Sequence, residues 1–224
     1  MEGLLLRAES VLHGEPELTQ SPAVEKTLRQ LLMLVALCGA FYGACMGSSN
    51  GISDGRGLQM VYSALKVPLL LQVTFMLSLP SFFVFNTLAG LRADFGQVIR
   101  ALAASQAGLT LVLASLAPVA LLWNASVVDH QLTILFNALL FGVATVGGQI
   151  LLRRYYRPLI ACNVRHRHLL LLWGILYTFV GIQMGWVLRP FVGDPDQPIR
   201  FFREDAWGNA YVMLTRLIQH VFRW

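Results

Sequence analysis

The sequence predicts an all-α fold, a polytopic transmembrane helix bundle of about five spans. Three observations predict it. Of 224 residues, 56% are hydrophobic and only 13% are charged, where soluble domains carry about 25% charged residues. Mean hydropathy is +0.59. Apolar runs of the length a helix needs to cross a hydrocarbon core follow one another with short polar segments between them. Lipid gives the backbone no hydrogen-bond partner, so such runs must form helices or close into a barrel. The alternation of a barrel strand is missing.

Three segments follow: a cytoplasmic N-terminal segment over 1–29, a five-span transmembrane domain over 30–188, and a C-terminal extramembrane tail over 189–224. In the first, Leu4, Leu5, Leu6, Val11 and Leu12 give one face of a short surface helix, stopped by Gly14-Glu15-Pro16. Ser21-Pro22 opens a second helix, with proline in a favourable first-turn position and Glu25 close behind. It runs into span one, 30–48. The glutamates ahead of this span make a poor signal-peptide leader, so it reads as a retained span.

Residues 49–57 read as a loop. Residues 58–66 read as a short interfacial helix before span two, with Tyr62 and Lys66 as anchors. Span two covers 67–90 and contains Pro80. Leu91 to Arg100 reads as a polar turn. Span three, 101–123, ends at Trp123, a residue type favoured at the interface. A short loop leads to span four, 132–152. Arg153 to His168 reads as a basic loop before span five, 169–188. An amphipathic helix closes the tail over 210–224, with Val212, Leu214, Leu217, Ile218 and Val221 on one face.

The net charge of +5 does not point to nucleic acid, because five basic residues cluster in one short segment between apolar runs. Orientation follows from the same residues. Arg7, Lys26, Arg29, Arg92, Arg100, Arg153, Arg154, Arg157, Arg165 and Arg167 fall on one side, and the opposite short loops hold Arg56 and Lys66. The positive-inside rule puts the N-terminus in the cytoplasm and the C-terminus on the opposite side. The arginines of the tail argue mildly the other way.

Cys38, Cys45 and Cys162 have neither metal-ligand nor disulfide-framework spacing. Asp194 and Asp196 are spaced like acids of a calcium loop, but the glycine and glutamate of that loop are missing. No metal and no cofactor are expected. No ionisable residue lies near the middle of a span, whereas ion-coupled carriers and proton relays need one there. His130 and Asp129 stand at a span end without a Ser, Cys or second acid nearby in sequence. The chain is therefore expected not to be an enzyme.

Gly39, Gly43 and Gly47 repeat every four residues and leave a side-chain-free groove on span one, where another helix can approach closely. Gly181 and Gly185 are a second, shorter case. Whether the approaching helix comes from this chain or another stays open at this point. Gln72, Asn86, Asn137, Gln149 and Gln183 are amides in or near the spans, suited to interhelical hydrogen bonds or to a substrate path. Arg153, Arg154, Arg157, Arg165 and Arg167 form a cationic strip for anionic lipid headgroups or an acidic partner. In the tail, Trp186, Arg189, Phe191, Phe202 and Trp207 mix aromatics with arginine, the composition of a docking patch.

The layout of five closely spaced spans resembles the Yip1-like membrane proteins. The local carriers are Ala64-Leu65-Lys66-Val67-Pro68 at the start of span two, Leu79-Pro80 within it and the glycine-bearing first span, with the likeness covering about 25–188. Eukaryotic members engage small GTPases and other membrane proteins. The short N-terminal segment and long aromatic tail of this chain depart from that pattern. The resemblance implies a membrane interaction protein, with membrane lipids, other membrane proteins or a homo-oligomer as partners. The expected function is a non-enzymatic scaffold, accessory subunit or adaptor. The alternative is a small carrier or channel subunit working as an oligomer, which needs Gln72, Asn86, Asn137 and Gln149 to converge on one cavity.

Overall fold

Six α-helices make up the described residues of the computed structural model, which are 2–15, 24–48, 57–127, 129–193 and 199–202. They are α1 (Glu2–His13), α2 (Val24–Gly47), α3 (Gly57–Leu88), α4 (Phe95–Ser126), α5 (His130–Cys162) and α6 (Arg165–Leu188). A 3₁₀ turn over Arg92–Asp94 leads into α4. Helices α2 to α6 supply five segments long and apolar enough to cross a bilayer. The chain is a multi-pass membrane protein.

The helices run past the boundaries read from the sequence. Residues 58–66 are helical, and they continue without a break into span two as one helix over Gly57–Leu88. Pro68 and Pro80 lie inside that helix. The expected basic loop Arg153–His168 is almost entirely helix: α5 ends at Cys162 and α6 starts at Arg165, leaving Asn163 and Val164 between them. The physical reason is that arginine is a good helix former and no glycine interrupts this stretch. Helix extends into the expected loop after span three: α4 runs on to Ser126 and α5 starts at His130, where the Asp129 carboxylate caps it, accepting from the Gln131 and Leu132 amides at 2.8 and 3.1 Å. The C-terminal amphipathic helix expected over 210–224 lies outside the described residues.

Helix α2 is the centre of the bundle, packed on α3 and α4; α5 leans on α4 and α6 on α3. The first half of α4 is the most enclosed stretch. Ala101, Leu102, Ala103, Ala104 and Ala107 are all buried there, and their small side chains let α1, α2 and α5 come close. Helix α1 is more than a surface helix. Val11 is fully buried, and the Tyr155 hydroxyl donates to its carbonyl at 2.9 Å. Arg7 donates to the Gln30 Oε1 through Nε and Nη2 at 3.0 and 2.8 Å. Leu5, Leu6 and Leu12 point outward.

Helix α6 is pinned by Trp173. Its ring meets Phe75 and Phe82 edge-on, with centroids 5.9 and 4.9 Å away, and stacks on Tyr177 at 5.4 Å. Two polar contacts tie the start of α6 to the α3–α4 turn. Arg165 Nη1 donates to the Ala89 carbonyl at 3.1 Å, and His166 Nε2 lies 3.1 Å from Asp94 Oδ2. Gly90 closes that turn at φ +75°, a conformation that favours glycine.

Candidate functional site

The glycine ladder of α2 faces α3 of the same chain. A side chain at Gly43 would collide with the Ser63 carbonyl oxygen, and one at Gly47 would start 2.8 Å from Met60 Cα and Ser63 Oγ. At Gly39 the nearest atom, Pro68 N, is 3.4 Å away. The ladder therefore seats α3 against α2 and is closed to any other helix. A Cβ added at Gly181 would lie 3.7 Å from Thr74 Cγ2 of α3, whereas one at Gly185 would meet nothing within 4 Å.

The tail folds back over the same end of α3. Gln59, Ser63 and Lys66 recur on one helix face. The Lys66 Nζ donates to the Pro190 carbonyl at 2.7 Å, and the Ser63 hydroxyl donates to the Phe191 carbonyl. Lys66 also stands 5.0 Å from the Phe201 ring centroid, and Tyr62 meets that ring edge-on at 5.2 Å. Lys66, expected as an interfacial anchor, is fully buried. The Pro190 carbonyl takes the place of water at the ammonium. The Arg189 guanidinium lies 3.3 Å over the Trp186 ring. Phe191 packs against the core of its own bundle, Trp186 and Arg189 lie against each other, Phe202 is exposed, and Trp207 lies outside the described residues.

The four amides required of a transport path are scattered. Gln72 donates to the Leu32 carbonyl at 3.0 Å, and Asn86 donates to Phe82 within its own helix at 2.9 Å. Asn137 accepts from the Tyr42 hydroxyl at 3.0 Å, joining α5 to α2. Of the four, Gln149 lines an open space.

That space is the main feature that sequence reasoning missed. Helices α5 and α6 touch little, and a cleft of about 1210 Å³ opens between them, lined by Thr145, Gln149, Arg153, Arg167, Gly174 and Thr178 among others. A deeper cavity of about 300 Å³ adjoins it, reaching Thr74, Ser105, Gln106 and Trp173. The Ser105 and Thr145 hydroxyls are spent on carbonyls of their own helices, so they add little polarity to the wall. The Thr74 Oγ1 and Gln106 Oε1 are buried without a hydrogen-bond partner among the described residues.

The five arginines of the cationic strip are all exposed and have different surroundings. Arg165 is held by Ala89. Arg154 lies along Gly14, where a Cβ would stand 2.7 Å from its Cδ; with φ at +64°, that position is doubly restricted to glycine. Arg153 and Arg167 both line the cleft, one from each wall. Arg157 projects from the last turns of α5.

Among known proteins, no family model, no curated protein and no solved structure matches this chain.

Proposed function

We propose that the chain is a non-enzymatic integral membrane adaptor or accessory subunit that binds other membrane proteins through the outward face of α5. The observation that carries this reading is the pair Ala138 and Gly142. Both are exposed, they lie one turn apart, and nothing stands within 4 Å of where a Gly142 side chain would begin. Small residues four apart let a second helix reach the backbone. The same spacing in Gly39, Gly43 and Gly47 is used up inside the chain; on α5 it faces outward. Exposed Leu135, Leu139 and Val146 border it and offer ridges for a partner helix. The resemblance to Yip1-like proteins implies the same kind of role. By the positive-inside rule, the arginine-rich end belongs in the cytoplasm and the tail on the opposite side.

The test is affinity purification from native membranes in mild detergent. Gly142→Leu fills open space and leaves the fold intact. It is expected to lose the membrane proteins, or the second tagged copy, that the wild type and Gly185→Leu both retain. An unchanged set with Gly142→Leu overturns the reading.

The second reading, a small carrier or channel subunit working as an oligomer, draws on the unpartnered Thr74 and Gln106 oxygens in the deep cavity. Solute flux in reconstituted vesicles, abolished by Gln106→Leu, would favour it over the adaptor.

A further inference from the structure

Two oxygens inside the bundle lack partners. Thr74 of α3 and Gln106 of α4 are both more than nine-tenths buried. The Thr74 Oγ1 and Gln106 Oε1 make no hydrogen bond among the described residues. An acceptor buried without a donor is unfavourable, and a hydrocarbon surround supplies none. Both residues line the cavity of about 300 Å³, together with Gln149 of α5 and Thr178 of α6. No Asp, Glu, Lys, Arg or His lines it among the described residues.

These four residues stand at least ten positions from either end of their helices, about 15 Å of rise or more. The hydrocarbon core is about 30 Å thick, so the cavity lies well inside it. Thr145, Gln149, Thr178 and Ile182 line both this cavity and the larger α5–α6 cleft. The α6 wall of that cleft carries Leu171, Ile175 and Phe179, which are exposed on the apolar surface of the bundle.

The walls set the chemistry of an occupant. It is uncharged, because nothing in the cavity pairs with an ion and a charge at this depth is costly. It carries a hydroxyl, the group that can donate to the Gln106 oxygen and also accept from the Thr74 hydroxyl. Phe141, Trp173 and Tyr177 in the same wall suit a flat ring. The volume stands at the small end of ligand pockets, about 300–1,000 Å³, so the cavity takes a ring and not a whole lipid. An alkyl chain on that ring has the adjoining cleft of about 1210 Å³ to lie in. Water alone is a poor match, because most of the wall is apolar and apolar cavities stay dry.

We propose that the cavity binds the ring of an uncharged, membrane-dissolved phenol or hydroquinone, with a ring hydroxyl at Thr74 and Gln106 and its alkyl chain in the α5–α6 cleft. This binding is independent of the outward α5 face assigned to partner proteins, and it requires no passage of solute.

Tritiated para-nonylphenol tests it on the full chain in nanodiscs, scored above empty nanodiscs, with para-nonylanisole as the competitor that lacks the O–H. The wild type is expected to bind one equivalent saturably. The anisole is expected to compete about tenfold more weakly than unlabelled phenol, the scale of one buried hydrogen bond. Gln106→Leu removes an unpaired acceptor and keeps the bulk; it is expected to weaken phenol binding about tenfold and to close the gap to the anisole. Gln72→Leu removes an amide that lies outside the cavity and donates to the Leu32 carbonyl, and is expected to bind as wild type. Gly181 lines the cavity, and a Cβ there would meet Thr74 Cγ2 at an ordinary 3.7 Å. Gly181→Leu is expected to fill the space and abolish binding in a protein that still elutes as a folded species, while Gly185→Leu retains it. The proposal is overturned by no saturable binding above empty nanodiscs, by equal affinity for phenol and anisole, by equal losses from Gln106→Leu and Gln72→Leu, or by a folded Gly181→Leu protein that binds as wild type.

Discussion

The Lys66 ammonium lies 2.7 Å from the Pro190 carbonyl oxygen and holds the start of the tail against α3. A fully buried cation on a membrane helix needs partners in place of water, and the Pro190 carbonyl and the Phe201 ring are two of them. A hydrogen bond involving a charged group contributes about 1.5–3 kcal/mol. Lys66→Ala is expected to destabilise the protein by about 2 kcal/mol. A Cys replacing Pro190 should then become reactive to a water-soluble maleimide in that background and stay protected in the parent.

The glycine ladder predicts a ranked series. Gly43→Ala drives a methyl group into the Ser63 carbonyl and must push α2 from α3. Overpacking of this kind costs about 1–3 kcal/mol. Gly39→Ala meets ordinary contact at 3.4 Å and Gly185→Ala meets nothing, so both should stay close to wild type. Unfolding by SDS titration ranks the three; equal stability for Gly43→Ala and Gly185→Ala would contradict the contact.

The Tyr42–Asn137 hydrogen bond is a long-range link between α2 and α5. Bonds of this type inside membrane proteins contribute about 0.6 kcal/mol on average and about 1.7 at most. A double-mutant cycle with Tyr42→Phe and Asn137→Ala should give a coupling in that range. Additive effects would mean the two side chains act separately.

Trp173 ties α6 to α3 through Phe75 and Phe82 and stacks on Tyr177 of its own helix. At about 0.5–1.5 kcal/mol per pair, Trp173→Ala is expected to cost at least about 2 kcal/mol. Because α6 has few other buried residues, the loss should be local. A disulfide-trapping reaction between Cys pairs placed in α3 and α6 should slow markedly, while one between α2 and α4 should not.

The number and order of spans were legible in the sequence because lipid leaves a long apolar run no choice but helix. The glycine ladder was legible as a close-packing face, since spacing alone places Gly39, Gly43 and Gly47 on one side. Its occupant was not, because spacing does not name a neighbour. A lysine at a span end is usually a surface anchor, and what buries Lys66 is the tail, more than a hundred residues away in sequence. In Arg153 to His168 the density of charge suggests a loop, whereas arginine favours helix and both helices run through it. The cleft had no signal in the sequence. It arises from α5 and α6 choosing different partners, a property of the whole bundle.

The long helices α3, α4 and α5 each run 32 or 33 residues, close to 48 Å at 1.5 Å per residue. That exceeds the hydrocarbon slab and nearly equals the full bilayer with its headgroup layers, about 40–45 Å. Charged groups on these rods cannot slide as they would on a loop; each is fixed at its own height, like marks on a ruler. Thinning or thickening the surrounding lipid must shift the phosphate plane past those marks, since mismatch is relieved by tilt or by bilayer deformation. The protein is thereby built to be most stable in membranes of one thickness.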